Sequence, residues 1–472
     1  YHPGDVLLLW EGGALSSLVL PEIPWIAAGK GHLLANKFKK FEKYGCDVYS
    51  SVSCHAGFRL EITRSRTLFP KPVDIYEVLG FFGDNIVVSE GEQWKRYRKI
   101  TAPAFSDKNN KLVWEETVYF LESLFSEWDA RGAEPVVVDN CSDVTFQIAI
   151  SVLGAAAFGQ RMQLLGIEER PNGHSFTFKQ ALHTVASGVF VKVALPEWTL
   201  GFTRHTRAIR DAFHELDWYM REMIEERSQT ASMERNDLLS LLCQSNMGDD
   251  ALTNRELMGN IFIFLIAGHE TTAHTLCFAL ALLALHPNEQ HLLHKHIQDI
   301  CPNGGSDYAR LPQLTRSLAV FHETLRIFPP VTNIPKRCAE DTTLTTLNSR
   351  GEKVEITVPK GTNIAINAAG LHYNPRYWID PHEFKPERFL GDYNKDAFIP
   401  FSTGLRSCIG RKFSEVEAVV ALSMIVSRYY ISVKDEPKYA NETAQQRKER
   451  VLRSKPGVTV TPVRVPLVFT RR

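Results

Sequence analysis

Residues 401–410 read Phe-Ser-Thr-Gly-Leu-Arg-Ser-Cys-Ile-Gly. One cysteine, Cys408, stands between Gly404 and Gly410, with Arg406 two residues before it. A thiolate is a soft, strong ligand for iron. One cysteine is too few for a structural zinc site or an iron–sulfur cluster. It is enough for the single axial ligand of a haem. The neighbours suit that use: glycines let backbone come close to a flat group. Backbone N–H groups around the sulfur temper its charge, and Arg406 can neutralise a haem propionate.

Three more constellations could do chemistry with it. Trp94 and Arg98 are four apart, hence on one helical face, and both only donate hydrogen bonds, which suits a carboxylate. In the run Ile261–Thr272, Gly268, Glu270 and Thr271 interrupt an otherwise apolar helix. Gly268 costs ~1 kcal/mol of helix stability relative to Ala, and reads as room for a group against the backbone. The Thr271 hydroxyl can bond the carbonyl four residues back, and an acid beside an alcohol can deliver protons. His269 and His274 receive no role. Glu323 and Arg326 sit at i,i+3, a spacing worth only ~0.2–0.5 kcal/mol on a surface and repeated at Glu61 and Arg64. Position distinguishes the later pair, which precedes Pro329-Pro330 and the run Phe384-Lys385-Pro386-Glu387-Arg388-Phe389.

Together these residues resemble a family. Phe401, Gly404, Arg406, Cys408 and Gly410 match Phe-x-x-Gly-x-Arg-x-Cys-x-Gly, the haem signature of the cytochromes P-450. Trp94-x-x-x-Arg98 with Ala102–Phe105, then Ala267, Gly268, Glu270 and Thr271, then Glu323 and Arg326 with Arg388, are similar to its other motifs, in its order. They span most of residues 90 to 430. The resemblance implies a haem-thiolate monooxygenase, adding one oxygen atom of O2 to a C–H bond or double bond of a lipophilic small molecule. It implies haem b, O2 as co-substrate, and NADPH electrons from a separate cytochrome P-450 reductase, with cytochrome b5 as a further partner. By this likeness Cys408 is the axial ligand, and Glu270 and Thr271 deliver protons. Trp94, Arg98, Arg337 and Arg406 hold propionates, while Phe401, Gly404, Gly410 and Ala267 lie against the haem. Glu323, Arg326 and Arg388 form a buried network, where removing one member strands a charge at ~3–5 kcal/mol. The cavity set is Phe82, Ile86, Ile263, Ala267, Val331, Thr332, Asn333, Ile334 and Val458. Lys95, Arg96, Lys99, Arg411 and Lys412 form a reductase-docking patch. A haem-thiolate isomerase or dehydratase without O2, and a haem sensor, are alternatives; the Glu270-Thr271 pair speaks against both.

The elements that must position these residues are mainly helical. Periodicity predicts helices over 112–130, 140–159, 175–193, 205–228, 253–285, 318–328 and 413–427. Thr253 or Asn254 caps the longest and Pro287 stops it. Pro196 and Gly201 break the chain between two helices which, by the resemblance, lid the cavity and touch a membrane. Leu33–Tyr44 reads as a helix and Val48–Ile62 as a strand pair. Residues 354–367 read as strands about the turn Pro359-Lys360-Gly361, and 458–460 with 463–469 as a closing hairpin. Lys434–Lys455 reads as a charged, solvated loop. The expected fold is one large haem domain over 1–472, mainly α with small β-sheets.

Composition agrees. With 54 basic and 54 acidic residues the net charge is zero, so nothing points to nucleic acid. Eight cysteines without a Cys-x-x-Cys pair argue against a disulfide framework and for a reducing compartment. No stretch near the start reaches the ~18–20 apolar residues that cross a bilayer. Eukaryotic members of the resembled family carry such an anchor. The expectation is therefore a monomer at the cytoplasmic face of the endoplasmic reticulum membrane, its anchor outside this chain. The C-terminal half has the look of a fungal member.

Overall fold

The computed structural model describes residue 65 and residues 67–159, 173–229, 237–245, 251–302, 307–347 and 352–472. The expected helix over Leu33–Tyr44, the strands within Val48–Ile62 and the loop at Gly304-Gly305 lie outside the described residues. Eleven of the helices among the described residues carry the argument: α1 (Gly91–Thr101), α2 (Asp107–Ala130), α3 (Cys141–Phe158), α4 (Phe178–Ala194), α5 (Arg204–Gln229), α6 (Leu238–Ser245), α7 (Asn254–Leu285), α8 (Pro287–Ile300), α9 (Thr315–Ile327), α10 (Arg411–Arg428) and α11 (Ala444–Val451).

Helix α7 is the axis. The Thr253 side chain accepts from the Glu256 N–H and the Glu256 carboxylate accepts from the Thr253 N–H, a reciprocal cap that fixes its start. Pro287, at the first position of α8, lets the chain restart in a new direction. Over its 32 residues α7 is buried on nearly every side, packed by α3, α5, α9 and α10. Helices α3 and α7 are long and apolar enough to span a bilayer, yet 72% and 83% of their most apolar windows are buried inside the protein. Their hydrophobicity is spent on the core.

The sheets are small. β1 (Val136–Val138), β9 (Leu467–Arg471) and β6 (Tyr429–Val433) form an antiparallel sheet in that order, with Phe469 opposite both Val136 and Ile431. β2 (Asn333–Arg337) pairs with β5 (Asn363–Asn367), and β3 (Thr342–Leu347) with β4 (Lys353–Val358). The expected turn at Pro359–Gly361 is present, with Gly361 at φ 82°. Its flanking strands take separate partners and do not pair with each other. The closing hairpin is likewise corrected. β7 (Ser454–Pro456) pairs with β8 (Val460–Pro462), and the last strand, β9, returns to β6 and β1. Apolar faces on β6 and β9 decide this: both bury alternate residues, and Tyr429 of β6 and Phe469 of β9 pack on Trp128. The expected loop over Lys434–Lys455 contains α11, which a Thr443–Gln446 capping box starts. Arg447 and Arg450 converge on Glu442, and Arg464 binds Glu436 through both amino groups. Charges that read as solvated are paired with one another.

The segment before α1 is fastened onto α7. The Asn260 Oδ1 accepts from the Ile86 N–H at 3.0 Å, and Asn260 Nδ2 donates to its own helix at Glu256 O, 2.8 Å. A Cβ at position 259 would overlap the carbonyl oxygens of Gly83 and Asp84. Gly259→Ala should therefore destabilise the protein by about 1–3 kcal/mol, although Ala is the better helix former by ~1 kcal/mol. The denaturant midpoint checks this; an unchanged or higher midpoint would mean that the close approach carries no strain.

Candidate functional site

The loop before α10 folds on itself through its own backbone. The Cys408 N–H donates to Phe401 O at 2.8 Å and the Ser407 N–H to Gly404 O at 3.1 Å. Ser402 and Gly404 both take positive φ, 59° and 68°. Helix α10 starts right after Cys408, so its first N–H groups lie beside the sulfur, where a helix N-terminus favours an anion. Cys408 is packed round by protein, yet its side chain is exposed; it faces an internal opening. Burial pushes its thiol above the ordinary range. The N–H groups of Gly410 and Arg411 and the charges of Arg98 and Arg411 pull the other way, toward the thiolate.

Two arginines lock this loop to the region of α1. Arg98 Nη1 donates to Ser407 O at 3.2 Å. Arg406 donates to Ile86 O at 3.2 Å and to Ser89 O at 2.5 Å, pairs with Glu90 Oε2 at 2.8 Å, and lies 4.4 Å over the Trp94 ring. Lys71 and Lys336, which sequence reasoning missed, belong to the same cluster. Burial holds the Lys71 ammonium well below the usual lysine range; Arg406 and Lys336 push it the same way and Glu90 opposes. Lys71 sits between Pro70 and Pro72 with no periodic pattern around it, so only the fold points it inward. Arg337 is placed elsewhere: it binds Asp74 at 2.8 Å and Asn363 at 2.9 Å. Successive residues of a strand face opposite sides, and β2 buries Lys336 to 7% exposure while sending Arg337 to the other face. The donor set fits a haem: a soft thiol open to the interior, with basic side chains gathered for its two carboxylates.

At the centre of α7, Ala267 is exposed although Ile266 before it and His269 and Glu270 after it are buried, so it too borders an internal space. Thr271 Oγ1 donates to Ala267 O at 2.8 Å, the bond expected from the sequence. Glu270 is 9% exposed, its Oε2 has no hydrogen-bond partner among the described residues, and burial raises its pKa to about 7. Gly268 does not make room for a bound group. A Cβ there would meet Leu153 Cδ1 of α3 at 2.8 Å, so the glycine admits a core leucine. His269 Nδ1 donates to Leu265 O of its own helix at 2.7 Å, and His274 Nδ1 meets Thr459 Oγ1 at 2.7 Å.

Glu323, Arg326 and Arg388 come together. Arg326 binds both Glu323 oxygens at 2.7 and 2.8 Å, and its remaining N–H groups reach the carbonyls of His372, Pro381 and Glu383. Arg388 Nε reaches Glu323 Oε1 at 3.4 Å and the Lys385 N–H donates to the same oxygen at 2.9 Å. Glu323 and Arg326 have no exposed surface; satisfying every N–H of a buried guanidinium is what makes such a pair tolerable.

The proposed cavity residues divide. Val331, Thr332, Asn333 and Val458 line a groove of about 960 Å³ with Ile75, Tyr76 and Leu452. Ile334 lies next to them on β2. Phe82 stacks on Phe213 of α5 at 5.8 Å and tilts against Phe262 at 4.6 Å, Ile263 is 3% exposed, and Ile86 is held by its backbone. In the basic set, Lys95, Lys99, Arg411 and Lys412 are exposed. Arg96 is not part of it: it pairs with Glu256 of α7, where Tyr97 also donates at 2.6 Å. Lys95 and Lys99 share one face of α1, and one residue further along the helix turns Arg96 about 100° away, toward α7.

Comparison with known proteins agrees with this geometry. The family model for cytochrome P-450 matches residues 67–460. The chain is 48% identical to cytochrome P-450 monooxygenase 124 of Postia placenta over 98% of this chain and 92% of that protein. It is 28% identical to human cytochrome P-450 3A5 over 74% and 70% of the two chains. A crystal structure of the cytochrome P-450DA haem domain superposes with a TM-score of 0.76 at 22% identity, covering 94% of both chains, a likeness of fold. The model match and the 48% identity over nearly the whole chain place it: this chain belongs to the cytochrome P-450 family of haem-containing monooxygenases.

Proposed function

We propose that this chain takes electrons from a separate NADPH-dependent reductase and inserts one atom of O2 into a C–H bond or double bond of a lipophilic small molecule. The observation that carries this reading is Cys408: a thiol enclosed by protein, open to the interior, set at a helix N-terminus among cations. Bound haem supplies the activation of O2. Cys408 would ligate its iron; Trp94, Arg98, Arg406 and Lys336 would hold its propionates. Thr271 Oγ1 lends its proton to Ala267 O and can turn to release it. Glu270, with a pKa of about 7, can both give a proton and take one back near neutral pH. The buried network of Glu323, Arg326 and Arg388 would hold the fold behind the haem without touching the reaction.

The groove at Val331–Asn333 and Val458 has the volume of a site for a drug-sized ligand, and neither Cys408, Ala267 nor Thr271 lines it. Exposed Trp198 and Phe202, 73% and 71% exposed and 5.7 Å apart edge to face, project from the break between α4 and α5. Aromatic side chains of this kind suit a membrane–water boundary, which supports attachment at the endoplasmic reticulum surface. Lys95, Lys99, Arg411 and Lys412 would steer an acidic reductase, and cytochrome b5, toward the Cys408 side. We read residues 1–472 as one catalytic domain acting as a monomer.

Three outcomes test this. Reduced enzyme with CO should show the long-wavelength Soret band of thiolate-ligated haem, and Cys408→Ala should abolish it; a band that survives would remove Cys408 as ligand. Thr271→Ala should keep haem and substrate binding while product per NADPH falls and peroxide rises, by about tenfold or more for a lost proton donor. Unchanged coupling would take Thr271 out of the proton path. Lys412→Glu should slow the reductase-driven rate, more so at low salt, and spare turnover supported by peroxide. Equal loss in both assays would refute a docking role.

A further inference from the structure

Glu90 is oddly placed for a protein that must hold an acidic cofactor. Its carboxylate stands among the cations that suit the propionates, where charge alone makes it unwelcome. Its contacts explain it. Glu90 Oε2 accepts from the Lys71 N–H at 3.0 Å and pairs with Arg406 Nη2 at 2.8 Å, while Oε1 accepts from the Gly91 N–H at 3.2 Å and so caps α1. One carboxylate thus joins three separate segments: the chain at Lys71, the start of α1, and the loop that carries Cys408. Lys71 is fixed in turn. Its Nζ donates to Val87 O at 2.5 Å and stands 3.5 Å over the Tyr76 ring. Both are contacts that hold an ammonium in place.

We propose that Lys71 is a haem-propionate ligand of this protein and that Glu90 is the positioning residue that holds Lys71 and Arg406 toward it. The inference rests on the haem-thiolate reading above. It adds a binding group from outside the four sequence motifs and gives a structural task to a carboxylate whose charge opposes the ligand. Lys71 binds by charge and hydrogen bond. Glu90 acts through the geometry of its neighbours.

The two ideas about Glu90 predict opposite signs. If it acts by charge, Glu90→Gln removes a repulsion and haem leaves more slowly. If it positions the cations, haem leaves faster. The measurement is the rate of haem transfer from purified ferric holoenzyme to excess apomyoglobin. Lys71→Met and Glu90→Gln should each speed transfer by about tenfold, the scale of one charged hydrogen bond, and Lys71→Arg should stay near the parent rate. Arg337→Met, which changes a residue bound to Asp74 and Asn363, should leave the rate unaltered. Lys71→Met should also lower the midpoint potential, because a cation near the iron favours the reduced form. Should Lys71→Met accumulate only without haem, a Lys71→Arg variant that loads fully supports the assignment, and one that also fails overturns it. A parent rate for Lys71→Met, or an equal or slower rate for Glu90→Gln, overturns it as well. Parent enzyme lacking the thiolate–CO band would instead sink the haem reading itself; the band with unaltered transfer rates sinks this inference alone.

Discussion

The arrangement depends on Arg406. Its guanidinium reaches across more than 300 residues of sequence to Ile86 O and Ser89 O, and meets the Glu90 carboxylate and the Trp94 ring on the way. Arg98 returns the connection to Ser407 O. These few bonds join the loop that carries Cys408 to the helix that carries Trp94. Hydrogen bonds to a charged group in a partly dry interior are stronger than neutral ones and more directional than apolar packing. They fix where the sulfur points, and the apolar core fills in around them.

Helix α7 supplies the other constraint. A helix buried on all sides can place a polar group only where that group has a partner or a task. Asn260 bonds Ile86, His274 bonds Thr459 and Thr271 bonds Ala267 O. Glu270 departs from this pattern: one oxygen lacks a partner among the described residues, and burial raises its pKa to about 7. A buried acid with an unpartnered oxygen costs stability and is suited to moving protons near neutral pH. The helix therefore combines a rigid frame, fastened at Asn260 and His274, with one residue that is deliberately poorly solvated between them.

Charge pairing does similar work far from the site. Glu323 and Arg326 would be costly apart; together, with carbonyls of three further residues, they knit α9 to the run around Arg388. Around α11 the same logic turns a stretch of acids and bases into a folded patch. A formal net charge of zero hides this local order, since composition counts charges without saying which ones meet.

The sequence by itself determined what is local or spelled in fixed spacing. The Cys408 loop, a cap at Thr253 or Asn254, the extent of α7 and the Thr271–Ala267 bond are set within a few residues of one another, by turn chemistry and helical period. Tertiary structure decided whatever depends on a partner distant in the chain. Lys336 and Arg337 are adjacent bases, indistinguishable by composition; only the pairing of β2 with β5 says which one faces inward. Arg96 looks like its neighbours Lys95 and Lys99 until α7 brings Glu256 to it. Gly268 could have admitted a cofactor or a side chain, and the packing of α3 chose Leu153. Lys71 carries no motif at all, because what gives it a role is the convergence of Glu90, Tyr76 and Val87. Strand partners followed the same rule: β4, β5 and β9 were legible as strands, while the sheets they joined were settled by which apolar faces the fold brought together.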